Sequence, residues 1–239
     1  MSLILDAVAV TNLGLIRTNN EDSAYAGRRL VAVADGIGGL PAGELASEIV
    51  ITALRVLEET ERVDDPAGLL KATVEAANRR ILQVASADPA RDGMGTTVTA
   101  LLLQGSLLGL VHVGDSRCYL LRDGALAQVT RDHTFVQTLV DEGMLRPEDA
   151  RFHPRRSLVT QAVQGHDYTA SVETLTAKPG DRYLLCSDGL SDVVTDEAIA
   201  AAMRTLPDLT TCANALITLA LEAGAPDNIT TVVADVVEK

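Results

Sequence analysis

The chain has 239 residues, 47% of them hydrophobic and only 3% aromatic, enough apolar material for one large domain with its own core. A formal net charge of −13 excludes general affinity for nucleic acid or an anionic membrane, because both need clustered Lys and Arg. Cys118, Cys186 and Cys212 are odd in number, far apart and set in apolar stretches, which points to reduced thiols in a cytoplasm instead of a disulfide framework.

In chain order, the first apolar run, Leu3 to Val10, contains Asp6 and lacks a basic flank, so it reads as a strand and not as a leader. No apolar stretch approaches the ~20 residues of a membrane span, and the expectation is a soluble, cytoplasmic chain without membrane contact. Alternation and β-branched runs predict strands at about residues 3–11, 30–34, 98–103, 107–113, 117–121, 126–129, 171–175, 182–186 and 229–237. Between them, Gln104-Gly105-Ser106 and Asp123-Gly124 sit at hairpin spacing, which makes antiparallel neighbours of the flanking strands. Helical spacing of Ala42, Leu45, Ala46, Ile49, Ala53 and Leu57, then of Leu70, Val74, Ala77, Ile81 and Val84, predicts two long helices, the second started by Pro66. A third amphipathic stretch runs through Leu209, Ala213, Leu216 and Ala220 and stops near Gly224. Residues 134–165 break the rhythm with a short helical pattern and a polar, arginine-bearing stretch, a long connection of the kind that is usually functional. Such blocks suggest sheet packed on sheet with helices outside.

Five short acidic motifs lie where apolar runs end: Asn19-Asn20-Glu21-Asp22, Asp35-Gly36-Ile37-Gly38-Gly39, Gly114-Asp115-Ser116-Arg117, Ser187-Asp188-Gly189-Leu190-Ser191-Asp192 and Pro226-Asp227-Asn228. One such motif alone reads as a turn or a helix cap. Together they supply oxygen ligands enough for two six-coordinate ions, and clustered carboxylates raise each other's pKa unless a cation is present. Oxygen-only ligation selects Mg²⁺ or Mn²⁺ over zinc, whereas His112, His133, His153 and His166 are scattered and read as structural or surface residues. The glycines after Asp35 lack the Lys-Ser/Thr pair of a P-loop and instead allow a carbonyl to approach a metal.

Arg17-x-x-Asn20-Glu21-Asp22, Val33-Ala34-Asp35-Gly36-x-Gly38-Gly39, Gly95-Thr96-Thr97, Val113-Gly114-Asp115-Ser116-Arg117, Cys186-Ser187-Asp188-Gly189-Leu190 and Pro226-Asp227-Asn228-Ile229-Thr230 resemble, in order and spacing, the PPM family of metal-dependent (type 2C) protein Ser/Thr phosphatases. Within it the resemblance is closest to actinobacterial PstP-type catalytic domains, through residues 134–143 and 183–192 as well.

The resemblance implies an α+β fold, a central antiparallel β-sandwich flanked by helix pairs in four layers, formed by residues 1–239 as a single catalytic domain with a flap at about 134–165. It implies a binuclear Mn²⁺ or Mg²⁺ centre, with Asp35 bridging the ions, Gly36 giving its carbonyl, and Asp188 and Asp227 completing the inner shell. Glu21 and Asp22 would hold outer-shell waters, Asp115 would join Asp188 at a weaker third ion with Asp192 nearby, and Arg17 would grip the substrate phosphate. The implied activity is hydrolysis of phosphoserine and phosphothreonine in proteins, by water activated at the two ions, in a bacterial monomer opposing Ser/Thr kinases. Ile37 and Leu40 depart from the family pattern by standing where other members have Met or His, which leaves no side chain to protonate the leaving group. Two other readings stay open: a catalytically silent phosphoprotein-binding module, and a small-molecule phosphoesterase.

Overall fold

The first strand waits for the last. β1 (Leu3–Asn12) pairs antiparallel along its whole length with β11 (Ile229–Glu238), from Leu3 opposite Glu238 to Asn12 opposite Ile229. The sheet continues from β11 through β10 (Arg182–Cys186) and β7 (Arg117–Arg122) to β8 (Ala125–Gln128), five strands in all. A second antiparallel sheet runs in the order β2 (Asp22–Ala26), β3 (Leu30–Ile37), β5 (Val98–Gln104), β6 (Leu107–Val113) and β9 (Ser171–Thr176), with the short β4 (Gly95–Thr96) on the end of β3. These elements come from a computed structural model that describes residues 2–37, 42–60 and 63–239.

Each central strand is apolar on both faces because both faces are covered. In β3, Leu30, Ala32 and Ala34 join a core with α1 (Ala42–Arg55) and α2 (Pro66–Ser86), while Val31 and Val33 join the core between the sheets. The period of two along a strand produces this division. In β11, Ile229 and Val233 face α6 (Asp196–Thr205) and α7 (Leu209–Glu222), while Val232, Ala234 and Val236 face the other sheet. The result is four layers, helix pair, sheet, sheet, helix pair, as the resemblance implies.

Local chemistry starts and stops these elements. Asp65 accepts the Gly68 amide at 2.8 Å ahead of Pro66, and Asp208 accepts that of Thr211 at 2.7 Å, so α2 and α7 open with satisfied N-caps. The β7–β8 hairpin turns on Asp123 and Gly124, both at positive φ, the conformation of a type I′ turn.

Three expectations change. β3 runs on through Asp35 and Gly36 to Ile37, so this motif lies in the strand end and not in a turn after it; Gly38, Gly39 and Leu40 lie outside the described residues. β2 and α6 were not foreseen. The segment from Thr134 contains α3 (Phe135–Asp141) and α4 (Pro147–Ala150), and both its ends are anchored, by buried Val136 and Val163 and by bridges from Thr134 to Val159 and from Thr96 to Val163. Its poverty in apolar anchors is confined to the middle. Among the described residues no helix is long and apolar enough to cross a membrane, and all three cysteines are free and buried.

Candidate metal centre

The antiparallel register of β2 and β3 sets Asp22 directly opposite Asp35. Like charges at such a pair repel, and Asp22 is among the charges that raise Asp35. Asp188, the first residue of the short helix α5 (Asp188–Ser191) after β10, and Asp227, just ahead of β11, come from the other sheet. Desolvation, then the charges of Asp22, Asp188, Asp115 and Asp227, holds Asp35 well above the usual carboxylate range. Desolvation, then Asp115, Asp192, Asp227 and Asp22, does the same to Asp188. Both keep a partly exposed surface, so the desolvation belongs to the floor of a cleft and not to the closed core. Asp22 is pushed up to about 6, chiefly by burial. The acids of motifs spread over the whole sequence therefore meet at one end of the sandwich.

The uncharged residues of the motifs build the frame. Asn228 is buried; its Oδ1 accepts the Glu21 amide at 2.9 Å, and its Nδ2 donates to the Leu13 and Asn19 carbonyls at 3.1 and 3.0 Å. Ser187 Oγ donates to Asp22 Oδ2 at 2.8 Å and accepts the Thr230 amide at 2.9 Å, tying β10 and β11 to β2. Thr97 Oγ1 accepts the Asp35 amide at 3.0 Å, and the Thr97 amide donates back to the Asp35 carbonyl at 2.8 Å. Gly36 and Gly189 are required by close approach: a Cβ would stand 2.4 Å from the Gly43 carbonyl oxygen in the first case and 2.0 Å from that of Asn228 in the second. Glu21 is buried at the same end, with its carbonyl accepting the Gly36 amide at 3.1 Å.

Asp115 follows β6 in a tight turn and is buried; burial first, then the charges of Asp132 and Asp192, pushes it up to about 7. It lines, with Asp188 and Asp192, a cavity of about 600 Å³ to which flap residues Arg151 and Arg156 also contribute. Arg156 reaches Asp192 at 3.5 Å, and Asp192 is itself raised, mainly by desolvation. Arg117 of the same motif is occupied elsewhere, donating to both oxygens of Asp132 and to Tyr119 Oη.

Arg17 stands at the opposite rim. Its Nε and Nη2 both reach Asp227, each at 2.8 Å, so the predicted phosphate clamp rests on a predicted metal ligand. Two parallel N–H donors are the fork that carboxylate and phosphate both accept.

The chemistry of these groups suits a hard divalent cation. The donors are oxygens only, and Asp22 Oδ1 is buried with no hydrogen-bond partner, a group that costs stability unless something positive meets it. The acids act on one another by charge: among the described residues, no three Asp, Glu, His or Cys side chains form a closed ligand set by themselves. The histidines are less scattered than their numbering suggested, since His112 and His133 stack with centroids 4.8 Å apart. The roles of Ser187, Thr97 and Asn228 lay unread inside motifs whose acids drew attention. Ser187 and Asn228 stand in the chain directly beside Asp188 and Asp227, whereas Thr97 has no acidic neighbour.

With this geometry in hand, comparison with known proteins is specific. The family described as Protein phosphatase 2C matches residues 18–220. The serine/threonine protein phosphatase PstP of Mycobacterium tuberculosis is 53% identical over 238 residues, all of this chain but 46% of that protein, so the chain spans about half the length of this relative. The serine/threonine phosphatase stp of Listeria monocytogenes is 34% identical, over 94% of this chain and 93% of its own. A crystal structure of the PstP catalytic domain in complex with two manganese ions superimposes with a TM-score of 0.94 at 52% identity, covering 99% of this chain and 100% of that one. The chain belongs to the protein phosphatase 2C family.

Proposed function

We propose that the chain hydrolyses phosphoserine and phosphothreonine in proteins at a centre holding two Mn²⁺ or Mg²⁺ ions. The observation that carries this reading is the convergence of Asp22, Asp35, Asp188 and Asp227 from both sheets, where neighbouring acids help hold Asp35 and Asp188 well above the usual carboxylate range, with a buried carboxylate oxygen unpartnered. Asp35 would bridge the ions with the Gly36 carbonyl beside it, Asp188 and Asp227 would complete the inner shell, and Glu21 and Asp22 would hold the outer one. Bound metal supplies Lewis acidity that activates water and offsets charge on the phosphoryl oxygens.

The chain's own groups orient the substrate. Arg17 offers its paired N–H donors at the rim, beside Asp227, where a phosphoryl group can take the place of the carboxylate. Ile37 brings no proton to the leaving group, so solvent within the cleft does so. Asp115 and Asp188, which line the cavity with Asp192 nearby, would hold a third, weaker ion. The flap at about 134–165 borders that cavity, and with it residues 1–239 form one catalytic domain. Its substrates are phosphoproteins, made by Ser/Thr kinases, met by a monomer in the cytoplasm.

Turnover of a phosphothreonine peptide and of para-nitrophenyl phosphate, measured with chelator and then with Mn²⁺ or Mg²⁺, tests this. Metal-dependent cleavage of the peptide is expected. Peptide binding without turnover would mark a silent binding module, and turnover of the small ester alone would mark a small-molecule phosphoesterase.

A further inference from the structure

The flap begins one residue after His133, and His133 grips the turn that carries Asp115. Its backbone amide donates to the Gly114 carbonyl at 2.7 Å, while the Gly114 amide donates to His133 Nδ1 at 3.2 Å. An acceptor Nδ1 requires the proton on Nε2, and Nε2 meets Ser171 Oγ of β9 at 3.0 Å, so both ring nitrogens are used in one tautomer. Burial depresses the pKa of His133, which keeps the ring neutral and Nδ1 free to accept. The face of the ring lies against His112, itself buried between Thr99 and the Arg131 carbonyl.

Gly114 cannot hold this turn by itself. Its φ is +107°, and a Cβ there would stand 2.6 Å from Thr97 Cγ2, so the residue is glycine by necessity and has no side chain to fix it. On the other side of Asp115, Ser116 Oγ bonds Thr97 Oγ1 at 2.7 Å, and Thr97 carries the Asp35 backbone. Asp115 thus sits between two clamps, one shared with Asp35 and one made by His133. The His133 carbonyl also accepts the Thr160 amide at 2.8 Å, so the residue belongs equally to the return end of the flap.

We propose that His133 is a positioning residue: by clamping Gly114 at both its amide and its carbonyl, it sets the place of the Asp115 carboxylate and links that place to the flap. The inference rests on the reading of Asp115 as a group that serves the reaction.

Asn and Gln separate the two ring nitrogens, since Asn Oδ1 matches the position of Nδ1 and Gln Nε2 that of Nε2. In His133→Ala, kcat on a phosphothreonine peptide at saturating Mn²⁺ should fall at least tenfold while KM for the peptide stays within about twofold. His133→Asn should recover most of that loss and His133→Gln should not. In the metal-free protein, exchange of the Gly114 amide followed by NMR should quicken at least tenfold in the Ala and Gln variants and stay slow in Asn. An effect running through Asp115 should also vanish in an Asp115→Asn background. If Ala fails to fold, the Asn and Gln pair decides alone. Equal turnover and equal Gly114 exchange in those two variants would overturn the proposal. Unchanged turnover in Asp115→Asn alone would overturn instead the reading beneath it.

Discussion

Asp22 and Asp35 oppose each other across an antiparallel pair, a placement that weakens a sheet and is kept only where it serves something else. Asp35→Asn should therefore raise the thermal stability of the metal-free protein, by about 1 kcal/mol on the scale of cross-strand pairs. The same variant should lower turnover of a phosphopeptide at least about 100-fold, about 2.7 kcal/mol of transition-state stabilisation. Melting in chelator beside steady-state kinetics checks both, and a variant as active as wild type would remove Asp35 from the centre. Arg17→Ala breaks an ion pair between half-exposed partners, so its effect on stability should stay under about 1 kcal/mol. Its effect on kcat/KM should be larger, roughly 10- to 100-fold, if the guanidinium also grips phosphate. His112 titrates in the opposite sense to the acids. Burial pushes it down to about 4 from an ordinary value near 6.5, so the fold holds it neutral while the unfolded chain takes up a proton as pH falls. Its contribution is complete above pH 6.5 and is lost on acidification toward pH 4, on the order of 3 kcal/mol. His112→Gln, which cannot titrate, should lose less stability than wild type between pH 7 and 4.5 in denaturant melts. At this scale the sequence was most legible where side chains carry charge. Ser187, Thr97 and Asn228 act through amides and hydroxyls whose partners lie as far as 215 residues away, in Asn228 to Leu13, and no local pattern announces those.

At the scale of elements, the flap is joined to the body at its two ends, by Arg131 of the body on Asp141, and by an arginine of its own. Arg156 meets Asp192, whereas Arg155 lies over Phe135 and Arg151 over Phe152 within the flap itself. Replacing all three by Ala should reduce turnover of phosphopeptides several-fold more than turnover of para-nitrophenyl phosphate. Most of that difference should come from Arg156. Equal losses on both substrates would deny the flap a part in choosing proteins. The long helices and the buried strands were legible because burial on one or two faces imposes a period. β2, Asp22-Ser-Ala-Tyr-Ala26, is half-buried throughout and carries only one large apolar side chain, so its alternation is too weak to read. α6 hides for a related reason: its buried face is Ile199, Ala200, Ala202 and Met203, in which alanine blurs the helical stripe. The same weakness misled the placing of Asp35, since a strand that continues through Asp-Gly looks from sequence like one that has ended.

At the scale of the whole molecule, the carboxylates belong to different sheets, so a bound ion would join two layers that otherwise meet through the core of Leu5, Val33, Leu101, Tyr183 and Val232. Ligand that binds only the folded state adds about 2.7 kcal/mol at a hundredfold excess over Kd, which for a chain of this size is a rise in Tm of roughly 5–10 °C. Calorimetry with and without Mn²⁺ measures it. No shift at saturating Mn²⁺ would mean that the layers are not joined there.

β11 lies between β1 and β10, and Leu3 of the first strand has no sheet partner but Glu238. A ribosome delivers β1 before every other strand of the fold and β11 after every other. Until β10 and β11 emerge, the growing chain holds Asp22 and Asp35 without Asp188 and Asp227, and β1 has an unpaired edge exposed to any other strand it meets. Closure by β11 therefore completes the sheet and brings in Asp227 in a single event, so that no chain still lacking β11 carries an assembled centre.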